Sequence, residues 1–170
     1  EVLVRIERVG ICGSDLHAYL GHDERRPAPL ILGHEPAGVI AAGPRTGERV
    51  AINPLVTCGE CRDCLDGRQN LCAKRQIISM PPREGAFTEF VSMPASNLVT
   101  LPDDLSMSAA ALSEPVAVSY HAVRLGVKTL HRPVTTASVL IIGGGAIGLG
   151  AALVLRKWGA TKIVVLEPNP

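Results

Sequence analysis

The sequence predicts a mixed fold, with a β-rich unit over residues 1–128 followed by the beginning of a doubly wound parallel sheet over residues 129–170. Three observations predict it. Residues 2–93 carry short β-type runs between many Gly and Pro residues, residues 106–126 have a helical pattern, and residues 138–166 read strand, helix, strand. Strands joined by a crossover helix run parallel, so we expect the second unit to be the start of an α/β sheet.

The composition is that of an ordinary globular chain. The 170 residues are 46% apolar and 19% charged, with a formal net charge of +1. A charge near zero and an aromatic content of 3% exclude the basic, base-stacking surface of a nucleic-acid binder. Five cysteines, an odd number, favour metal chemistry in a reducing compartment over a disulfide framework. The first residues contain neither an initiator Met nor an apolar signal core, so we expect a cytoplasmic piece of a longer protein.

The first predicted element is a strand. Apolar and polar residues alternate over residues 2–8, and the strand ends at Gly10. Shorter β-type runs at residues 38–41, 49–52 and 86–92 predict further strands. This spacing is typical of a compact all-β unit whose loops carry the function.

A helix is predicted next, over residues 106–126. Ser106 is suited to cap its N-terminus, Pro115 fits a first turn, and Gly126 fits a C-terminal stop. The apolar residues within it recur on one face, which indicates an amphipathic helix.

The uncharged stretch over residues 133–155 is long enough to be mistaken for a membrane span. Three consecutive glycines after a β-branched run instead divide it into a strand over 138–142, a turn and a helix over 146–158. A second strand follows over 162–166. We therefore expect one strand–helix–strand unit and no membrane segment.

The turn between that strand and helix has the pattern G-x-G-x-x-G, formed by Gly143, Gly145 and Gly148. In dinucleotide-binding units the first glycine permits a tight turn, the second lets the backbone approach a pyrophosphate, and the third allows close helix–strand packing. Glu167 follows Gly148 by 19 residues, at the end of the next strand. A carboxylate there accepts hydrogen bonds from ribose hydroxyls and repels a 2′-phosphate, which favours NAD over NADP. A purely structural glycine turn in another α/β protein is the alternative.

Four cysteines fall within 15 residues, three of them at x2 spacing. They are Cys58, Cys61, Cys64 and Cys72. This density suits a tetrahedral Zn²⁺ with four thiolate ligands, which is a closed and therefore structural site. An iron–sulfur cluster or free thiols are the alternatives.

The fifth cysteine, Cys12, indicates a second metal site when it is considered with His34, Glu35 and Glu114. A thiolate, an imidazole and a carboxylate form an open zinc site that leaves a position for water or substrate. His34 and Glu35 are adjacent, so we expect both to ligate from a loop. The residues leave open which of Glu35 and Glu114 is the third ligand. Each residue alone also has an ordinary structural role, as a buried thiol, a core histidine or a helix-terminal carboxylate.

Neighbours of Cys12 are suited to supporting roles. Asp15 could orient the imidazole of His34. Ser14 and His17 could carry a proton from a zinc-bound alcohol to solvent, although His17 could equally be an ordinary surface residue.

Together these motifs resemble the zinc-dependent medium-chain dehydrogenase/reductase family, and within it the sorbitol (polyol) and threonine dehydrogenase branch. The resemblance covers nearly the whole chain. It is carried, in this order, by residues 12–17, residues 33–35, the four-cysteine loop, residues 113–115 and residues 143–148.

The resemblance implies a GroES-like β-rich catalytic domain, a Rossmann-type cofactor domain and an active site in the cleft between them. It implies a catalytic zinc at Cys12, His34 and Glu35, with Glu114 approaching the metal directly or through water. The other implied roles are a structural zinc at Cys58, Cys61, Cys64 and Cys72, a proton relay at Ser14 and His17, and NAD contacts at Gly143, Gly145, Gly148 and Glu167.

The implied activity is oxidation of a secondary alcohol, such as a polyol, a sugar alcohol or a threonine-like substrate, with hydride transfer to NAD. We expect two zinc ions per subunit, a homo-oligomeric full-length form, and neither nucleic acid nor membrane as partner. A non-catalytic zinc-binding module, or an inactive fragment of such an enzyme, is the alternative. A zinc-free quinone reductase of the same superfamily would lack Cys12, His34 and the four-cysteine loop.

Overall fold

The computed structural model describes residues 1–169 and divides the chain into two compact units. The first unit comprises Glu1–Glu114, and the second begins at Pro115. The elements of the first unit are β1 (Val2–Gly10), α1 (Gly13–Tyr19), β2 (Glu35–Ala42), β3 (Arg49–Ile52), β4 (Leu55–Val56), α2 (Arg62–Leu65), β5 (Gln76–Ile77), β6 (Phe90–Met93), β7 (Leu98–Thr100) and α3 (Met107–Ala111). Those that follow are α4 (Ser113–Lys128), β8 (Ser138–Ile142), α5 (Ala146–Lys157) and β9 (Lys162–Leu166).

The first unit is built on a five-stranded antiparallel sheet in the order β6-β1-β2-β3-β7. Val2 and Val4 of β1 are buried while Leu3 and Arg5 are exposed, which is the alternation that the sequence predicts. The buried side chains of this face form the main core, and each Val, Ile, Leu or Met among them contributes about 1.5–3 kcal/mol of hydrophobic stabilisation. The core consists of Val2, Val4, Ile40, Val50, Ile52, Ile78, Ala86, Val91, Met93 and Leu98.

A smaller apolar cluster lies on the other side of this sheet, where α3 packs against β1, β2 and β3. Small side chains allow the close approach of helix and sheet, since Ala37 and Ala51 of the sheet meet Ala110 and Ala111 of α3. Strands β4 and β5 form a separate two-stranded sheet, and in the sequence β4 precedes the four-cysteine loop and β5 follows it. The sheet and its loops therefore position both groups of candidate metal ligands.

The second unit contains a single strand–helix–strand motif. Strands β8 and β9 pair in parallel, with Ser138 opposite Lys162 and Ile142 opposite Leu166. Helix α5 connects them, and Gly150 of α5 meets the buried Ser119 of α4 at close range. Among residues 1–169, no helix is both long enough and apolar enough to cross a bilayer.

Most predicted elements are confirmed, and four predictions need correction. The helix predicted over 106–126 is two helices, because Pro115 has no N–H to donate to Ala111 and its ring would clash with that carbonyl. Ser106 caps α3 by accepting a hydrogen bond from the Ala109 N–H, but Gly126 lies inside α4 and ends nothing.

The other two corrections concern loops. The run predicted as a strand from residue 86 becomes a strand only at Phe90, because residues 85–87 instead donate backbone hydrogen bonds to residues 31–33. Glu35 is the first residue of β2 and not part of a loop, so only His34 precedes the strand.

Candidate functional site

Cys12, His34 and Glu35 lie together in the first unit, and one ligand atom of each lies within 4.8 Å of the others. Cys12 is the N-cap of α1, His34 directly precedes β2, and Glu35 begins β2. His34 is 8% exposed and Glu35 is 7% exposed, while Cys12 is half-buried. The structure thus brings three of the four predicted ligands to one place.

The position of Glu35 depends on a glycine in the neighbouring strand. Gly10 of β1 pairs with Glu35 of β2, and a Cβ atom on Gly10 would lie 2.0 Å from the Glu35 Oε2 atom. No side chain can occupy that space while the carboxylate is there. Sequence reasoning identified Gly10 only as the end of a strand, because nothing local shows which side chain will cross it.

Burial makes the site costly for negative charge. Desolvation raises the pKa of Glu35, an effect that the neighbouring His34 and the Cys12 side chain partly offset. Burial also raises the pKa of Glu114. The charges of His34 and Glu35 are close enough to act on this pKa, His34 lowering it and Glu35 raising it. Glu114 does not belong to the 4.8 Å group.

Asp15 organises the two segments that carry Cys12 and His34. Its carboxylate is 2% exposed and accepts hydrogen bonds from the Cys12 N–H at 3.0 Å and the Gly33 N–H at 3.2 Å. The Asp15 Oδ1 atom also lies 3.3 Å from Nδ1 of His34. The predicted role of Asp15 beside the imidazole agrees with this geometry.

The donor set fits a zinc ion. Sulfur, nitrogen and carboxylate oxygen are the usual zinc ligands, and three protein ligands leave a fourth position for water or substrate. His34 Nδ1 is buried and faces Asp15, yet the alignment leaves it without a hydrogen bond. An imidazole with one nitrogen against a carboxylate is the usual arrangement of a metal-ligating histidine.

The two predicted relay residues lie on α1, directly after Cys12. Ser14 is half-buried and His17 is exposed, one turn further along the same helix. Residues three apart share a helix face, so the two side chains are neighbours. The His17 ring lies 6.4 Å from the ring of His22, measured between centroids.

The four remaining cysteines form a compact cluster of sulfur atoms. The Sγ–Sγ distances are 3.5 Å for Cys61–Cys64, 3.6 Å for Cys58–Cys72 and 3.9 Å for Cys58–Cys64. Four thiolates around a tetrahedral Zn²⁺ with bonds of about 2.3 Å would lie about 3.8 Å apart. The loop thus already holds its sulfur atoms at the spacing of such a site.

The thiols of this cluster differ in acidity. Backbone N–H groups of Glu60 and Cys61 lower the pKa of Cys58 to about 6. A backbone N–H of Cys64 also acts to lower the pKa of Cys61, but hydrogen bonding with the Cys64 thiol, burial and the other thiols raise it to about 11. One thiolate is therefore available near neutral pH before any metal binds.

In the glycine turn of the second unit, Gly143 and Gly148 occupy positions that a residue with a side chain would strain. Gly143 has a φ of +102°, and a Cβ atom on Gly148 would lie 1.9 Å from the Gly143 carbonyl oxygen. A Cβ atom on Gly145 would meet nothing within 4 Å. Glu167 accepts hydrogen bonds from the Gly144 N–H at 2.6 Å and the Asn169 N–H at 3.0 Å, and these contacts lower its pKa.

Comparison with known proteins adds the family context. Residues 1–103 match the family described as the alcohol dehydrogenase GroES-like domain. The chain is 41% identical over its whole length to sorbitol dehydrogenase from Bacillus subtilis, of which it covers 49%. It is 36% identical to L-threonine 3-dehydrogenase from Deinococcus radiodurans, over 99% of this chain and 49% of that protein.

A solved structure extends the similarity to the second unit. It is described as a zinc-binding dehydrogenase from Sinorhizobium meliloti bound to NADP. The TM-score is 0.83 at 34% sequence identity, over 96% of this chain and 48% of that one. The chain spans about half the length of the relatives it matches.

Proposed function

Because the chain belongs to the alcohol dehydrogenase GroES-like domain family, we propose that it is the metal-binding part of an oxidoreductase that transfers a hydride from a secondary alcohol to NAD. Its fold is as predicted, a GroES-like domain followed by the beginning of a Rossmann-type parallel sheet. The observation that carries the proposal is the convergence of Cys12, His34 and Glu35 within 4.8 Å. The proposed substrates are polyols, sugar alcohols or threonine-like alcohols, the classes named by its relatives.

Cys12, His34 and Glu35 would hold the catalytic zinc, with Glu114 as a carboxylate close to it. A bound Zn²⁺ supplies a Lewis acid that lowers the pKa of an alcohol hydroxyl. The protein orients its ligands through Asp15, which fixes the segments on both sides of the site.

Ser14 and His17 are the proposed route by which the alcohol proton leaves. Ser14 lies at half depth and His17 in solvent, so a proton passed along this helix face moves from the site outward. Neither residue has to change its charge permanently during turnover.

Gly143, Gly145 and Gly148 are the proposed contacts of the cofactor pyrophosphate. The N-terminus of α5, which begins at Ala146, offers unpaired N–H groups and a positive dipole end to an anion. Glu167, exposed beside Gly144, supports NAD over NADP because its charge would repel a 2′-phosphate.

Cys58, Cys61, Cys64 and Cys72 would hold a second, structural zinc, which gives two ions per subunit. The five cysteines form no disulfides with one another, so these four thiols can serve as metal ligands. We also propose a cytoplasmic location. We further propose that the full-length form is a homo-oligomer, with neither nucleic acid nor membrane as partner.

The test is the Cys12→Ala variant of the complete enzyme, with activity and metal content measured together. We expect activity to be lost and one of two zinc ions to disappear, while the circular dichroism spectrum is unchanged. A variant that oxidises alcohols normally would refute the metal assignment. A panel of secondary alcohols with NAD and NADP would identify the substrate, and wild-type enzyme that turns over none of them would favour a non-catalytic zinc module.

A further inference from the structure

Ser79 combines complete burial with an unfavourable backbone conformation. It is 0% exposed, and its φ is +69°, in the left-handed region that L residues other than glycine rarely adopt. Among the described residues, Arg45 is the one other non-glycine residue with positive φ, and it lies half-buried in the turn between β2 and β3. A conformation of this kind is strained for serine, whereas glycine would adopt it with little strain.

The Ser79 hydroxyl faces the carboxylate that organises the metal ligands. Its Oγ atom lies 3.4 Å from Oδ1 of Asp15, which is the one hydrogen-bond partner of this hydroxyl within residues 1–169. The same Oδ1 atom accepts the Gly33 N–H and faces His34 Nδ1. The hydroxyl is therefore the third polar group gathered around one carboxylate oxygen.

The backbone conformation at position 79 does not explain why this residue is a serine. Glycine would satisfy a positive φ better, and the single methylene of serine adds little apolar burial. The hydroxyl is the one feature that glycine lacks, and a buried hydroxyl is itself unfavourable unless it is hydrogen-bonded. The strain at Ser79 is thus matched by one identifiable contact, the one with Asp15.

We propose that Ser79 is a positioning residue of the metal centre, whose hydroxyl holds the Asp15 carboxylate in place beside the His34 ring. This inference rests on the proposed function, because it assumes that Cys12, His34 and Glu35 bind a metal. Ser79 acts through Asp15 and touches neither metal nor substrate.

The test uses two variants of the full-length enzyme, Ser79→Gly and Ser79→Ala. Both remove the hydroxyl, but Ser79→Gly relieves the backbone strain and Ser79→Ala keeps it. The catalytic site is loaded with Co²⁺, and the loss of its thiolate and d–d absorption to a chelator is followed. The metal that stays bound at the four-cysteine site in the same sample serves as the internal control.

We expect both variants to release Co²⁺ from the Cys12 site about tenfold faster than wild type, with the four-cysteine site unaffected. Thermal unfolding of Ser79→Gly should occur at or above the wild-type temperature. A purely structural serine predicts instead that metal retention follows stability, with Ser79→Gly retaining Co²⁺ normally, and that result would overturn the proposal. Equal retention in all three proteins would also overturn it. Wild-type enzyme that takes no metal at the Cys12 site would refute the proposed function as well, so the two failures are distinguishable.

Discussion

Two residues that are not themselves proposed metal ligands shape the candidate metal centre. Gly10 leaves the space that the Glu35 carboxylate fills, and Asp15 ties the Cys12 and Gly33 backbones together. The ligands Cys12 and His34 come from segments that are far apart in the sequence, so their meeting depends on these contacts. A metal site here is a property of the β1–β2 pairing as much as of the ligand residues.

At the scale of single residues, Gly10→Ala should remove metal without unfolding the protein. The new Cβ atom would lie 2.0 Å from the Glu35 Oε2 atom, so the carboxylate must leave its position. We expect zinc affinity at this site to fall about 10- to 100-fold, with an overpacking cost of about 1–3 kcal/mol in unfolding free energy. Competition with a chromophoric chelator measures the first quantity, and urea unfolding the second.

Gly13→Ala is the matched control for that change. A Cβ atom on Gly13 meets nothing within 4 Å, although Gly13 is adjacent to Cys12. Its zinc affinity should equal that of the wild type. If Gly10→Ala also kept its zinc, Glu35 would not be a ligand.

Sequence reasoning could propose candidate metal ligands where a chemical type defines the role. Cys12, His34 and Glu35 were identified because thiol, imidazole and carboxylate are metal ligands wherever they lie. Gly10 and Ser79 carry no such chemical signal, because their roles arise from a cross-strand neighbour and from a contact over 64 residues. Such roles become visible only in three dimensions.

At the scale of elements, periodicity predicted the strands and helices that pack in a regular way. Strands β3, β8 and β9 have the predicted bounds, because their apolar runs are bounded by clear turn residues. The break between α3 and α4 was missed, although Pro115 provided the signal. Residues 86–89 were misassigned because Ala86 and Phe87 donate their backbone hydrogen bonds to a loop, which a local pattern does not reveal.

Two glycines of the turn should differ in what their replacement changes, with Gly148 needed for stability and Gly145 for cofactor binding. Gly148→Ala should destabilise the fold by about 2 kcal/mol, because its Cβ atom would lie 1.9 Å from a backbone oxygen. Gly145→Ala should change unfolding free energy by less than about 1 kcal/mol, since its Cβ atom meets nothing within 4 Å.

For Gly145→Ala we expect a large effect on cofactor affinity and a small one on stability. If the pyrophosphate approaches this backbone, Gly145→Ala in the full-length enzyme should bind NADH about tenfold or more weakly despite its normal stability. Calorimetric titration and thermal unfolding measure the two effects. Unchanged NADH affinity in Gly145→Ala would show that the turn is only structural.

The four-cysteine loop should show selective reactivity when it is free of metal. The pKa of Cys58 is about 6 and that of Cys61 about 11, so at pH 7 Cys58 is mostly thiolate and Cys61 mostly thiol. We expect iodoacetamide to modify Cys58 first, as measured by mass spectrometry of peptides. Zinc should protect Cys58 from the reagent.

The same shifts set a pH dependence for the metal-free loop. The pKa of Cys58 is lowered from its ordinary 9.0, so its contribution to stability is full above pH 9 and is lost as pH falls through about 6. The raised pKa of Cys61 acts in the opposite sense, with a contribution present below pH 9 and lost towards pH 11. Equal alkylation of the four thiols at pH 7 would contradict this assignment.

At the scale of the whole chain, the two units differ in completeness. The first has a five-stranded sheet with a buried core and contains both groups of metal ligands. The second has a two-stranded parallel sheet, one face of which leaves four apolar side chains exposed. These are Leu140, Ile142, Val164 and Leu166. An apolar sheet face of this kind is normally covered by helices in a doubly wound fold.

The 170-residue chain should therefore bind NADH poorly. A dinucleotide lies across two halves of a doubly wound sheet, and the single unit of β8, α5 and β9 supplies the contacts of only one. We expect a dissociation constant about 100-fold weaker than that of a full-length protein, a loss of about 2.8 kcal/mol. Titration of NADH into both proteins, followed by calorimetry, gives the comparison.

Zinc content is the control for folding, because both metal-ligand groups lie in the first unit and should load equally in the two proteins. Equal NADH affinity with equal zinc content would mean that the glycine turn and Glu167 suffice for binding, whereas loss of zinc as well would show that the first unit depends on the rest of the protein.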